Sequence, residues 1–233
     1  MKNRSLCFMV TFLFSLFSIP QAFGVTGQEV LVEIQKQYEK TNNFEANFIQ
    51  ETVGKMMKKP QRGEGKVYFQ KKGMMCWDYQ TPNQKLISNG RNLWFYLPED
   101  KQVFVSDVSG VLKEKTPLAF LAGEGSLRRD FTLVNFNESI SQKEENFVLE
   151  LAPKEFTAAL AKLVLTVDKK TYQVVQADVF DAIGNMTRTR FINIKTNVDL
   201  PASLFHFTVP QGTEVFNMEP SLPSPAGKES PKK

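Results

Sequence analysis

The sequence predicts a mainly β fold with a minor helical part (α+β), in which an antiparallel meander curls into a barrel or half-barrel. Three observations predict it. One helical apolar stripe near the start gives way, from Phe44 onward, to apolar residues at every second position. Turn-forming residues then recur so that one strand and its turn take about 8 to 12 residues. Residues 74–79 and 92–97 are apolar on both faces, so both faces should be covered, one of them by helices. A plain α+β core without a cavity is the alternative.

Residues 1–24 have the layout of a secretory signal peptide. A basic start precedes an apolar run over residues 6–19, and the small residues Ala22 and Gly24 stand three and one positions before a cleavage point. The run is shorter than the about 20 residues that a spanning helix needs. A retained N-terminal anchor is the alternative. Cys7 opens the apolar run, so it is not a lipid-accepting cysteine, and the mature chain is expected to be free and soluble.

The helix and strands follow in order along the mature chain. Thr26 and Glu29 form a predicted capping box, after which a helix should run to about Lys40. Strands are predicted at residues 44–52, 65–71, 74–79, 86–88, 93–97, 102–105, 131–136, 147–151, 162–167, 174–180, 186–194 and 205–209. A second short helix should span residues 118–122, with Thr116 as its cap. One domain over residues 25–218 and a disordered tail over 219–233, rich in Pro, Ser, Gly and Lys, complete the organisation.

Charge and cysteine content narrow the partners. Loss of Lys2 and Arg4, with no acid, lowers the formal net charge from +4 to +2. This balance predicts no nucleic-acid and no anionic-membrane partner, because either would need a concentrated basic face. One short basic cluster is interpreted as a solvated hairpin tip: Lys55, Lys58, Lys59 and Arg62. Cys76 alone survives cleavage, so no intramolecular disulfide can form.

The chain lacks the residues of most catalytic and metal sites. His206 is its only histidine, which leaves no His/Cys set for a transition metal and a single candidate base for a nucleophilic mechanism. It lies in the predicted strand 205–209 with no acid beside it, so we interpret it as a surface residue. Phosphate-binding and nucleophile-elbow motifs are absent. No cofactor or metal is predicted, and the protein is not expected to be an enzyme, although a hydrolase with two carboxylates stays open.

Several blocks of the sequence resemble one known family. They are Asn47-Phe48-Ile49-Gln50, Gly65-Lys66-Val67-Tyr68-Phe69, Trp77-Asp78-Tyr79-Gln80-Thr81-Pro82, Ile87-Ser88-Asn89-Gly90, Leu93-Trp94-Phe95-Tyr96, Thr116-Pro117-Leu118, Leu149-Glu150-Leu151-Ala152-Pro153-Lys154, and residues 181–187 and 205–212. In this order and spacing they are similar to the periplasmic outer-membrane lipoprotein carriers, LolA. The resemblance runs from about Val30 to Val215, which is nearly the whole mature chain.

The resemblance implies a half-open antiparallel β-barrel with a helical lid over an apolar cavity, in a monomer of the periplasm without stable membrane insertion. Such carriers take lipoproteins from an inner-membrane ABC exporter, shield their acyl chains and pass them to an outer-membrane receptor. The residues that we expect to line the acyl-chain site come from the apolar strands and both helices. They are Ile34, Met75, Trp77, Leu93, Phe95, Leu118, Phe120 and Leu121.

One departure concerns the lid. The family usually has an arginine followed by proline shortly before the Trp strand, and this residue helps hold the lid. Here Lys71 stands at that position without a proline, and lysine lacks the planar donor fork of arginine. Lys71 is therefore the candidate lid latch, with an ordinary exposed lysine as the alternative. A lipoprotein sensor of the same fold is the alternative function, although it would need a signalling domain that the tail is too short to be.

Overall fold

The computed structural model describes residues 24–108, 126–140 and 145–218. Twelve strands dominate the fold of these residues, which confirms the mainly β prediction. Eleven of them belong to the meander: β1 Asn43–Val53, β2 Gln61–Gln70, β3 Met74–Thr81, β4 Gln84–Asn89, β5 Asn92–Leu97, β6 Gln102–Asp107, β7 Phe131–Ile140, β8 Glu145–Pro153, β9 Lys162–Asp168, β10 Val174–Phe180 and β11 Met186–Thr196. Strand β12 is Glu214–Asn217, and two α-helices lie wholly within the described residues: α1, Gly27–Lys40, and the single turn α2, Leu127–Asp130.

All twelve strands form one open, unclosed sheet. Its order is β12-β6-β5-β4-β3-β2-β1-β11-β10-β9-β8-β7, so two antiparallel meanders meet where β1 pairs with β11. Only β12 runs parallel to its neighbour, β6, among the pairs that the structure describes. The strand order therefore confirms the predicted meander and the unclosed barrel.

Helix α1 covers the half of the sheet built from β7 to β10. Thr26 begins it with the predicted capping box, in which Glu29 N donates to Thr26 Oγ1 and Thr26 N donates to Glu29 Oε2. Its stripe packs into a buried apolar group that we call the α1 cluster. The members are Val30, Leu31, Ile34, Leu127, Phe131, Phe147, Leu149, Leu151, Leu160, Leu163, Leu165, Val167, Val174 and Ala177. The helix was expected over the central strands, but its described contacts lie on this half instead.

The C-terminal segment differs from the sequence prediction. Residues 205–209 do not form a strand: a 3₁₀ turn, Ala202–Phe205, follows Pro201, and the chain continues without strand pairing to residue 213. Phe205 is buried, the turn packs against β3 and β4, and the Phe207 ring lies 5.2 Å from that of Tyr96. This segment covers the outer face of β3 to β5. His206 is exposed on it.

Some expectations fall outside the described residues. They are the signal peptide up to residue 23, the second helix with Thr116, Leu118, Phe120 and Leu121, and the tail over residues 219–233.

Candidate functional site

A continuous apolar surface lies on the inner face of the sheet, the same face that α1 covers at the other half. Strand register sets its pattern, because residues directly opposite each other on paired strands point to the same side. One row across the strands is Leu93, Ser88, Met75, Phe69 and Phe44. The next row is Phe104, Phe95, Leu86, Trp77, Val67 and Ala46. Together with Phe48, Tyr79, Val108, Phe191 and Ile194, we call this surface the aromatic face.

Phe48 is the centre of the aromatic face. Its ring is 1% exposed and meets Trp77 at 4.8 Å and Tyr79 at 4.7 Å between ring centroids, both edge to face. Edge-to-face geometry suits the charge distribution of aromatic rings. Gly65 is the cross-strand partner of both Phe48 and Tyr79, and a Cβ there would collide with the carbonyl oxygen of Asp78. A glycine on β2 thus lets rings from β1 and β3 meet across it.

A polar chain borders the aromatic face toward the loop between β1 and β2. Tyr79 donates its hydroxyl to Gln50 Oε1 at 3.1 Å, and Gln50 Nε2 donates to Thr189 Oγ1 at 3.2 Å. Burial raises the pKa of Tyr79 to about 12, against the opposing effect of its hydrogen bond to Gln50. The hydroxyl therefore stays protonated near neutral pH and acts as a donor.

The aromatic face becomes accessible toward the end of the sheet formed by β5, β6 and the edge strand β12. Phe95, Phe104 and Phe216 are half-buried, whereas Met75, Trp77 and Leu93 are buried. The rings of Phe104 and Phe216 stack at 5.1 Å, and those of Phe95 and Phe104 lie 6.4 Å apart. This end of the face offers apolar rings to a ligand without prior unfolding.

A small cavity lies between the aromatic face and the α1 cluster. Its volume is about 30 Å³. The residues that line it come from the end of α1 and the strands beneath: Gln37, Tyr38, Thr41, Phe44, Gln173, Val174, Phe191, Ile194 and Thr196. A space of this size holds about one water molecule. The boundary between the two apolar groups is therefore not completely filled by side chains.

Lys71 contacts the end of α1 close to this boundary. Its Nζ donates to the carbonyl oxygen of Glu39 at 2.7 Å, and its backbone N–H donates to Asn42 O at 2.9 Å. The carbonyl groups of a last helical turn lack partners within the helix and carry partial negative charge, so an ammonium group stabilises them. Lys71 thus ties the end of α1 to the turn between β2 and β3.

The structure unites part of the predicted acyl-chain site. Met75, Trp77 and Leu93 lie in the aromatic face, and Phe95 lies on its accessible end. Ile34 is fully buried in the α1 cluster instead. Leu118, Phe120 and Leu121 lie outside the described residues. Sequence reasoning missed Phe48, Phe69 and Phe191, although the alternation of Phe44 and Phe48 on β1 was a signal for one of them.

Two polar groups on β3, those of Cys76 and Trp77, are buried. Burial raises the pKa of the Cys76 thiol to about 11, so it remains a weak nucleophile at neutral pH. Trp77 Nε1 is buried, and no group in the described part of the chain accepts a hydrogen bond from it. Across residues 24–108, 126–140 and 145–218, no group of three His, Cys, Asp or Glu side chains is arranged to hold a metal ion. The helices in those ranges are all too short or too polar to span a bilayer.

Comparisons with known sequences identify one family. A family model described as "Outer membrane lipoprotein carrier protein LolA" matches residues 39–208. An outer-membrane lipoprotein carrier protein of Nitrosomonas europaea is 33% identical over 180 residues, 76% of this chain and 84% of its own length. One from Dechloromonas aromatica is 29% identical over 75% of this chain and 81% of its own length. An uncharacterized conserved protein of Thermus thermophilus has a similar fold, with a TM-score of 0.52 at 13% identity over 82% of this chain and 98% of that one.

Proposed function

This chain belongs to the LolA family of outer membrane lipoprotein carrier proteins, and from that premise we propose that it binds the acyl chains of lipoproteins on the aromatic face and carries them across the periplasm. The observation that supports this site is the pair of apolar rows that ends in the accessible rings of Phe95, Phe104 and Phe216. Cargo would come from an inner-membrane ABC exporter and pass to an outer-membrane receptor. The proposal assigns no catalytic residue, and the carrier acts as a monomer.

We propose that the inner face opens to take up cargo, because the space between the aromatic face and the α1 cluster, about 30 Å³, is far smaller than an acyl chain. Transfer of acyl chain out of water is worth about 0.8 kcal/mol per methylene, so full burial of several chains would amount to tens of kcal/mol. A closed empty state that is itself stable offsets part of this energy. The net binding energy is then small enough for the cargo to be released.

The cover of the aromatic face is the second part of the proposal. Val108, the last described residue before position 109, is buried within the face. We propose that Leu118, Phe120 and Leu121, which lie outside the described residues, contact acyl chains together with Met75 and Trp77. Ile34 would contribute only after α1 moves away from the strands that now bury it.

Removal of the Lys71 ammonium group should make opening easier. Lys71→Met deletes the bond to Glu39 O, and a hydrogen bond of about 1 kcal/mol corresponds to about fivefold in the opening equilibrium. We expect about fivefold tighter apparent binding of the apolar dye bis-ANS, measured by fluorescence titration. Lys72→Met, which removes the same charge one residue away, should leave dye binding unchanged. Lys71→Arg keeps a donor for Glu39 O and should bind the dye as the parent does. Equal effects of both methionine variants would show that Lys71 holds nothing closed.

Displacement of a bound dye tests the carrier function directly. The full mature chain is loaded with bis-ANS and titrated with a synthetic triacylated lipopeptide and, separately, with the same peptide without acyl chains. We expect displacement by the acylated peptide alone, with the acyl chains recovered intact by mass spectrometry. If neither peptide displaces the dye, the carrier proposal fails. Release of free fatty acid would instead support a hydrolase.

A further inference from the structure

Three neighbouring loops at one end of the sheet each hold a large apolar side chain in solvent. They connect β1 to β2 (residues 54–60), β8 to β9 (residues 154–161) and β10 to β11 (residues 181–185). Met56 is 98% exposed, Phe156 78% and Ile183 68%. The loops are adjacent because β1 pairs with β11 and β10 pairs with β9. We call Met56, Phe156 and Ile183 the apolar rim.

Hydrogen bonds join the three loops into one surface. Ala182 N donates to Ala158 O at 3.0 Å, and Ala161 N donates to Phe180 O at 2.7 Å. Lys55 N donates to Asn185 Oδ1 at 3.2 Å, which links the β1–β2 loop to the β10–β11 turn. The apolar rim is thus carried on loops that are fixed to one another rather than on separate tips.

Asp181 fixes the turn that carries Ile183. Its Oδ1 accepts from the backbone N–H groups of Ile183 at 3.1 Å and Asn185 at 2.8 Å, and its Oδ2 accepts from Asn185 Nδ2 at 2.7 Å. A turn held in this way cannot readily fold its apolar side chain back onto the protein. Exposed apolar side chains gathered on one surface are typical of sites that bind a partner or a membrane.

The charges beside the apolar rim indicate the chemistry of the partner. Lys55, Lys58 and Lys59 are exposed on the β1–β2 loop, and within the described residues no carboxylate lies at salt-bridge distance from any of them. Glu155 adjoins Phe156, and the Asp181 carboxylate is engaged within its own turn. Exposed apolar side chains with lysines beside them are typical of proteins that bind to the surface of anionic lipid membranes.

We propose that the apolar rim docks this chain reversibly, end-on, onto the surface of an anionic phospholipid bilayer. Met56, Phe156 and Ile183 enter the boundary between headgroups and acyl chains, while Lys55, Lys58 and Lys59 contact lipid phosphates. The sequence predicted no anionic-membrane partner, with these lysines as part of a solvated hairpin tip. That interpretation did not include the exposed apolar side chains of the neighbouring loops. Docking of this kind is peripheral and involves no spanning segment.

Vesicle flotation tests the proposal with the full mature chain. We expect binding to vesicles of phosphatidylethanolamine and phosphatidylglycerol, and much weaker binding to vesicles of phosphatidylcholine alone. A variant with Met56→Ser, Phe156→Ser and Ile183→Ser should lose at least tenfold in affinity, as should one with Lys55→Glu, Lys58→Glu and Lys59→Glu. Val134→Ser, at a position that is 59% exposed on the edge strand β7, is the matched control and should bind as the parent does.

A second measurement separates insertion from adsorption. In a Phe156→Trp variant, anionic vesicles should shift to shorter wavelength the emission that the introduced tryptophan adds to that of Trp77 and Trp94 in the parent chain. Absence of vesicle binding by the parent chain overturns the proposal, as does binding that survives the triple serine change or leaves the emission of the introduced tryptophan unshifted. No lipoprotein takes part, so failure here leaves the carrier proposal intact, and failure of dye displacement leaves this one intact.

Discussion

Replacing Phe48 by alanine is expected to lower the free energy of unfolding by about 3–5 kcal/mol. The ring is 1% exposed and packs edge to face against Trp77 and Tyr79, so its removal loses burial and two ring contacts at once. Gly65, its cross-strand partner on β2, has no side chain with which to fill the space. Urea unfolding followed by far-UV circular dichroism should show the midpoint falling by at least about 1 M.

The control for Phe48 is a truncation on the surface. Val134→Ala removes apolar atoms from a position that is 59% exposed, and it should change the free energy of unfolding by less than about 0.5 kcal/mol. A loss below about 1 kcal/mol for Phe48→Ala would mean that the aromatic face collapses around the gap. The face would then be softer than its ring contacts indicate.

A carboxylate at Phe95 should reduce binding of acyl chains at least tenfold and leave the fold intact. Phe95 lies in the row of Trp77 and Leu86 but is only half-buried, so Phe95→Glu can keep its charge in water when the site is empty. An acyl chain laid on this row would force the charge out of water, which is unfavourable without a partner. The measurement is displacement of bis-ANS by a triacylated lipopeptide.

Two variants accompany Phe95→Glu. Phe95→Leu keeps an apolar surface and should bind the lipopeptide within about threefold of the parent, since apolar replacements of similar volume are well tolerated. Val134→Glu places the same charge on the edge strand and should have no effect. Unchanged binding by Phe95→Glu, with a melting temperature close to that of the parent, would remove the accessible end of the aromatic face from the acyl-chain site.

The meander was readable from the sequence because apolar residues alternate along each strand and turn formers separate the strands. Alternation misled at residues 205–209, where Phe205 and Phe207 are apolar but pack from a 3₁₀ turn and an unpaired segment onto other strands. Strand β12 was missed because four residues show little periodicity and their parallel pairing with β6 is not local.

The site was only partly readable for a related reason. A pattern shows which residues share a strand face, but it does not show which strands lie side by side. Met75, Trp77 and Leu93 were predicted for the candidate site because each stands in an apolar strand, whereas the contact of Phe48 with Tyr79 depends on the register of three strands. Ile34 was placed with them because the sheet half beneath α1 was unknown. The apolar rim was hidden for the same reason, since Met56 and Ile183 are distant in the sequence.

The pairing of β1 with β11 determines when folding of the sheet can be completed. It joins segments such as those of Gln50 and Thr189, which are 139 residues apart, so the sheet is divided until almost the last strand has been made. Strands β1 to β6 can assemble early through neighbouring pairs, but the free edge of β1 then waits for its late partner. Strands that are distant in the sequence pair slowly, and an unpaired strand edge can associate with other chains in the meantime. The sheet of a chain that is still being made therefore stays incomplete until β11 is available for pairing. Until then, chaperones that bind unfolded segments can bind it.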